Sequence, residues 1–324
     1  MKESVCNVIR IQDAHSSSNA SFEKDILEFA LPERHFNRQE NTDAFSEQVS
    51  QTPNLGVVIR STGEATFNTL VEQVWIQMKA NDELAILSDN ESFEKKLRRS
   101  LKEGLRLDRD FSVVIDADIL IGKGTLKFVR SIINKLKDSD LGAGLLLLDR
   151  FYHQPKFRGF HVYNNKWLKK AIESLPEEGE FLRPEATMKE RLEKFGHKWR
   201  NDLTSRVIGL HDYFQSPFDI YYKYLMRSHR SVDDISLLES KFKAEGGRSW
   251  EFRLALQGIE DGRKLSRVVN NKALYFDKFQ AQHAANYPYS HSTLSLSKVN
   301  LMFYTELFRH IKSKRRLFNA IAGR

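Results

Sequence analysis

Residues 111–121 read FSVVIDADILI, an apolar run interrupted by two aspartates one residue apart. Val113, Val114, Ile115, Ile119, Leu120 and Ile121 have the β-branched richness and the length of a strand buried on both faces, as a parallel sheet under helices requires. The run therefore reads as one core strand that carries Asp116 and Asp118 at its end. Two carboxylates there are costly to desolvate, and at period 2 they point the same way and repel unless a cation lies near them. A divalent metal is the simplest compensation. Hard oxygen ligands suit Mg²⁺ or Mn²⁺, which complete their shells with waters and substrate phosphates. The same pattern also fits a strand that ends in a solvated turn.

The flanking chain supplies the sheet. Residues 55–60, LGVVIR, are a short apolar strand; STGE follows as a turn into a helix with Phe67, Leu70, Val71, Val74, Trp75 and Met78 on one face. Glu83–Ser88 reads as a second strand that ends at Asp89 and Asn90, and Phe93, Leu97, Leu101 and Leu105 mark the next helix. Beyond the Asp-Ala-Asp strand, Leu126, Val129, Ile133 and Leu136 predict a third helix, and Gly142–Asp149 a fourth strand. This alternation predicts an α/β fold with a mostly parallel central sheet, right-handed crossovers and helices on both faces. Ligands of such sheets bind outside the carboxyl ends of the strands. Residues 60–63, 88–90 and 116–118 all fall there, on one rim.

After Asp149 the alternation lapses. Residues 157–172 predict a short strand and a helix, 185–195 a helix that stops at Gly196, and 206–214, RVIGLHDYF, a strand running into His211 and Asp212. Residues 218–225, 235–242 and 250–257 read as helices with no recognisable chemistry. From 299 to 324, Leu301, Tyr304, Leu307, Phe308 and Ile311 lie on one side, and the stretch carries Arg309, Lys312, Lys314, Arg315 and Arg316. Such an end can lie on an anionic membrane surface, each Lys or Arg contributing about 1 kcal/mol, or pack on the domain with a solvated basic tip. The expected organisation is a polar extension over 1–53 with one short helix at 22–29, a nucleotide-binding catalytic domain over 54–215, and a mainly helical region over 216–324.

The 324 residues, 40% hydrophobic and 29% charged, are enough for a full core. No apolar stretch approaches the ~20 residues of a membrane span. The N-terminus lacks a basic start followed by an apolar stretch, so the expected location is the cytoplasm, at the inner face of the membrane if the terminal helix binds there. Cys6 alone excludes an internal disulfide and a cysteine-built zinc site. The net charge of +8 allows an anionic partner. Nucleic acid is not expected: there is no zinc-finger spacing, no aromatic RNA-binding signature and no sustained basic helix in the body of the chain.

From about residue 55 to 212, about half its length, the sequence resembles the nucleotide-sugar-dependent glycosyltransferases of the GT-A fold, in particular the inverting family 2. The resemblance implies a nucleotide-binding loop at Arg60, Ser61, Thr62, Gly63 and Glu64, a contact to the nucleotide base at Asp89, and an Asp-x-Asp strand end at Asp116 and Asp118 for the ribose and the metal-diphosphate. Residues 159–171, GFHVYNNKWLKKA, are similar to the segment where the family places acceptor and donor-sugar contacts. Arg191, Leu192 and Gly196 fit the frame that places Pro184 and Glu185 on the family's acidic pair. Glu185 is thus implied as catalytic base, with a longer side chain than the usual Asp and a proline before it; Asp212 is the reserve. His211 resembles the late histidine that completes the coordination begun by Asp118. The activity implied is metal-dependent, inverting transfer from a nucleoside-diphosphate sugar to a hydroxyl of a glycan, polysaccharide or lipid-linked acceptor, with Mn²⁺ or Mg²⁺ as cofactor. Two alternatives stand beside it: a nucleotidyltransferase, and a non-catalytic basic protein that binds nucleic acid or lipid.

Overall fold

The structure, a computed structural model, describes residues 7–9, 52–88, 91–181, 183–229, 232–245, 249–269, 272–287 and 295–322, the side chains of 7–9, 232–234, 273 and 313–322 excepted. The expected helix at 22–29, and Asp89 with Asn90, lie outside the described residues.

Among the described residues, nine strands form one sheet. They are β1 (Asn7–Ile9), β2 (Leu55–Ser61), β3 (Glu83–Ser88), β4 (Phe111–Asp116), β5 (Ile119–Ile121), β6 (Gly142–Asp149), β7 (Gln154–Asn164), β8 (Trp199–Arg200) and β9 (Val207–His211). Their order is β1-β3-β2-β4-β7-β6-β9-β5, with β8 beside β6. Strands β2, β3, β4, β6, β8 and β9 run one way, and β1, β5 and β7 the other. The mostly parallel sheet is therefore present, with one reversed strand, β7, inserted at its centre.

Alternation within the strands explains the layering. Val57, Ile59, Leu84, Ile86, Val113 and Ile115 enter one core with helices α1 (Phe67–Trp75) and α3 (Thr125–Ile133). Val58, Ala85, Leu87 and Val114, one residue out of phase, enter the other with α2 (Phe93–Arg106), α4 (Asn165–Ser174) and α5 (Pro184–Glu193). Period-2 strands that are apolar at every position have both faces covered.

Residues 111–121 are not one strand. The chain leaves β4 at Asp116, turns at Ala117 and Asp118, and resumes as β5 paired antiparallel to β9 on the far side of β6. Both edges of β4 are already taken, by β2 and β7. Past Asp116 the main chain is held by Ala117 N donating to Arg60 O (2.9 Å) and Asp212 N donating to Asp118 O (3.1 Å). The two aspartates thus sit on a crossing between strands.

The remaining helices are α6 (Pro217–Arg227), α7 (Val232–Glu245), α8 (Trp250–Arg263), α9 (Ala273–Gln282) and α10 (Leu296–Ala322). Helices α6 to α9 share an aromatic-rich core that includes Phe151, Tyr221, Tyr224, Phe242 and Phe252. Ser216 caps α6 by accepting from Asp219 N, with Pro217 at the first turn. Helix α10 packs Val299 and Phe303 on Leu120, Leu148, Leu210 and Tyr213. No described helix is long and apolar enough to cross a membrane.

Helices α6 and α8 meet backbone to backbone at Gly258, where an added Cβ would collide with the Tyr221 carbonyl oxygen and come within 3.1 Å of Leu225 N. Gly258→Ala should therefore destabilise by about 1–3 kcal/mol, read as a lower midpoint in urea unfolding.

Candidate active site

The carboxyl ends of β2, β4 and β9 open on one cavity of about 630 Å³. Arg60, Ser61, Thr62, Glu64, Asp116, Asp118, Glu185 and His211 all line it, so the structure brings together the expected site residues it describes, with Asp212 directly behind. Strand β7 supplies Phe157, Arg158, Gly159 and His161 to the same wall. Gly159 has φ +60, and a Cβ there would lie 2.9 Å from Asp116 Oδ2. Glycine lets the backbone pass this close to the carboxylate.

Asp116 and Asp118 have different partners. Arg60 Nε donates to Asp116 Oδ1 at 2.7 Å, and Nη2 lies at the same distance. Burial nevertheless pushes the Asp116 carboxyl up to about 6, Arg60 opposing and Asp118 and Glu185 adding to the rise. Asp118 Oδ2 lies 3.0 Å from Lys223 Nζ and 3.5 Å from His211 Nε2, and Lys223 also pairs with Asp212 Oδ1. One ligating atom each from Asp118, His211 and Asp212 fall within 4.8 Å of one another.

This group fits a divalent ion. Asp118 Oδ1 and Asp212 Oδ2 are buried and receive no hydrogen bond, which leaves two hard oxygens beside one imidazole. His211 Nδ1 lies 2.9 Å from Asp149 Oδ2. With the Nδ1 proton held there, Nε2 presents its lone pair toward Asp118, the arrangement by which a carboxylate orients a metal-binding histidine. Asp149 is itself fixed, Oδ1 accepting from Phe151 N and Tyr152 N at 3.0 Å each. Without an ion, burial lowers the His211 pKa, but Asp212 and Asp118 outweigh it and the net direction is upward.

Glu185 sits in the first turn of α5 and forms a second cluster. Tyr163 OH donates to its Oε1, Lys189 Nζ lies 3.1 Å away and His161 Nε2 3.4 Å. Burial drives His161 down to about 3, so its ring is uncharged at neutral pH. Burial also raises the Glu185 carboxyl, yet the cations Lys189 and Arg60 and the Tyr163 hydroxyl hold it well below the usual carboxylate range. Glu185 is ionised at any physiological pH.

Glu64 turns back on its own loop. It accepts from Ser61 Oγ (2.8 Å), Thr62 N (2.7 Å) and Thr62 Oγ1 (2.5 Å). Arg60 Nη1, at the start of this loop, is buried and without an acceptor.

The C-terminal helices, expected to carry no chemistry, complete the site. Lys223 and Arg227 on α6 and Lys272 before α9 line the cavity. Lys272 pairs with Asp219 and reaches Thr62 O at 3.4 Å. Periodicity identified α6 as a helix but could not show which face meets a sheet more than a hundred positions upstream. Asp149 was visible as the last residue of a predicted strand, and His161 and Tyr163 lie inside the 159–171 segment singled out above; Lys189 and Lys272 had no local signal.

No family model matches the chain, and no curated protein does. Among solved structures it is similar to the mannosyltransferase PcManGT from Pyrobaculum calidifontis in complex with GDP-Man and Mn²⁺, at 10% identity over 75% of this chain and 83% of that one, TM-score 0.40. It is also similar to S. aureus TarS 1–349, at 12% identity over 71% and 75% of the two chains, TM-score 0.33. A Bacillus anthracis chain described as a glucose-1-phosphate thymidylyltransferase matches at 12% identity over 46% and 86%, TM-score 0.31. At these scores the likenesses carry no weight for the site, whose reading rests on its own geometry.

Asp149→Asn keeps an oxygen for Phe151 N and Tyr152 N but turns a donor toward His211, which must then carry its proton on Nε2. Mn²⁺ affinity, measured by calorimetry, should fall about 10- to 100-fold while the unfolding midpoint changes little.

Proposed function

We propose that this protein is a metal-dependent, inverting glycosyltransferase that moves a sugar from a nucleoside-diphosphate donor to an acceptor hydroxyl. The observation that carries the reading is the convergence, on one cavity, of a metal-capable Asp118/His211/Asp212 group, an unsatisfied cationic donor, Arg60 Nη1, and a separate ionised carboxylate, Glu185.

Asp118, His211 and Asp212 would hold Mn²⁺ or Mg²⁺, which when bound supplies positive charge to the departing diphosphate. Arg60, through its free Nη1, and Lys223, Arg227 and Lys272 bind the same phosphates from the protein side. Preorganised cations aimed at developing charge are a large source of rate enhancement. Asp116, oriented by Arg60, takes the ribose. Glu185 accepts the acceptor's proton as the hydroxyl oxygen attacks the anomeric carbon; the bond to the nucleoside diphosphate breaks and the diphosphate leaves with the electron pair. Such proton transfer contributes typically 10² to 10⁴ in rate. Tyr163 and Lys189 hold the carboxylate in place, and their donation lowers its basicity. The acceptor is a glycan, polysaccharide or lipid-linked hydroxyl.

A nucleotidyltransferase would present a loop of free backbone N–H groups and a lysine to the phosphates. Here the loop after β2 has its hydroxyls and the Thr62 N–H turned onto Glu64, which favours sugar transfer.

The first test is a thermal-shift screen of nucleotide sugars with and without Mn²⁺, in which a ligand at 100 times its dissociation constant stabilises by about 2.7 kcal/mol. No Mn²⁺-dependent shift with any of them would remove the reading. Asp118→Ala should abolish that shift with the fold intact. Glu185→Gln should keep donor affinity and cut turnover at least about a hundredfold. Asp212→Asn should weaken donor binding as well, since it acts through the metal; near-normal turnover in Glu185→Gln would remove Glu185 as the base.

A further inference from the structure

Helix α10 has two apolar faces, and the fold uses one. Val299 and Phe303, 1% and 6% exposed, pack on the sheet edge. Leu301, Tyr304, Phe308 and Ile311 follow one another at spacings of three and four, so at 3.6 residues per turn they form a single stripe. Their exposures are 70%, 54%, 66% and 53%. Scattered exposed apolar residues need no explanation, whereas a continuous stripe of large ones marks an interaction surface.

Charge identifies the occupant. Lys298, Arg309 and Lys312, all exposed, fall along one flank of the stripe, and the helix sequence continues with Lys314, Arg315 and Arg316. Its only acid, Glu306, projects away from the stripe and is engaged by Tyr213 OH (3.3 Å) and by Arg309. A second copy of a chain at +8 would bring more positive charge to this flank. An apolar stripe with a cationic flank matches a bilayer interface, where the ring and aliphatic groups enter the acyl boundary and the cations meet anionic headgroups.

We infer that α10 is an interfacial membrane anchor: its Leu301/Tyr304/Phe308/Ile311 face lies in an anionic lipid surface. The packed face of α10 touches Tyr213, the neighbour of Asp212, so the anchor holds the candidate metal group close to that surface. The inference does not depend on the catalytic reading.

Deleting α10 would uncover the sheet edge, so the test uses point variants of the full chain. The parent should sediment with vesicles of phosphatidylglycerol and phosphatidylcholine and stay in solution with phosphatidylcholine alone, with binding weakened by salt. Leu301→Glu/Phe308→Glu should lower the partition at least about tenfold at an unchanged unfolding midpoint. Lys298→Glu/Lys312→Glu, which leaves every apolar contact in place, should remove the preference for anionic lipid. Failure of the parent to sediment with anionic vesicles would overturn the inference, as would either double variant binding like the parent. A parent dimer that Leu301→Glu/Phe308→Glu dissociates, with no vesicle binding, would assign the stripe to a second copy instead.

Discussion

The site is built around carboxylates that the fold has taken out of water. Asp116, Asp118, Asp149 and Asp212 stand at or beside strand ends and Glu185 in the first turn of α5, close enough that Asp118 and Glu185 both raise Asp116 and Asp149 acts on Asp212. An isolated buried carboxylate is prohibitively costly, and a group of them persists only among cations and hydrogen-bond donors. Arg60 serves Asp116, Lys223 serves Asp118 and Asp212, His211 bridges Asp149 to the same group, and Lys189 serves Glu185. Compensation is incomplete at two oxygens, Asp118 Oδ1 and Asp212 Oδ2. Buried polar atoms left unpaired are uncommon in folded proteins, and here both belong to the three residues whose atoms converge for metal binding.

The strands were legible because a fully covered sheet writes itself as unbroken apolar runs. Glu83–Ser88 and Gly142–Asp149 have the bounds that the sequence implied. The same simplicity concealed the break at Ala117. Ile119, Leu120 and Ile121 are as apolar as Val113 to Ile115, so nothing in the run says that the two halves pair with different neighbours. Strand β7 was expected to be a short strand beyond the point where the alternation lapses; it is eleven residues long and reversed. Its first half, Gln154 to Arg158, is polar and half-exposed over the cavity rim, which removes the hydrophobic signal.

Candidate residues near strand ends were found because position along a strand is a local property. The cations other than Arg60 were missed because pairing across the fold is not. Lys223 sits 105 positions from Asp118, on a helix whose sequence offers several polar residues of equal standing. Only the seat of α6, fixed by Tyr221, Tyr224 and Leu225 in their aromatic core and by the close approach at Gly258, selects Lys223 as the residue that reaches the aspartates.

The helical region is therefore part of the site's construction. The chain at His211–Phe214 leaves β9 with Asp212 and Phe214 both at positive φ, +65 and +60. Each such conformation costs a side-chain-bearing residue roughly 1–2 kcal/mol, and persists only where the surroundings fix it. Two helices do so. Helix α6 takes Asp212 through Lys223, and α10 takes Tyr213 between Val299, Phe303 and Glu306. Clamped from both sides, Asp212 keeps its Oδ2 facing His211 at 3.4 Å without a hydrogen bond. The strain in this turn and the open oxygen beside it have one origin: the segment is positioned by helices that follow it in the chain.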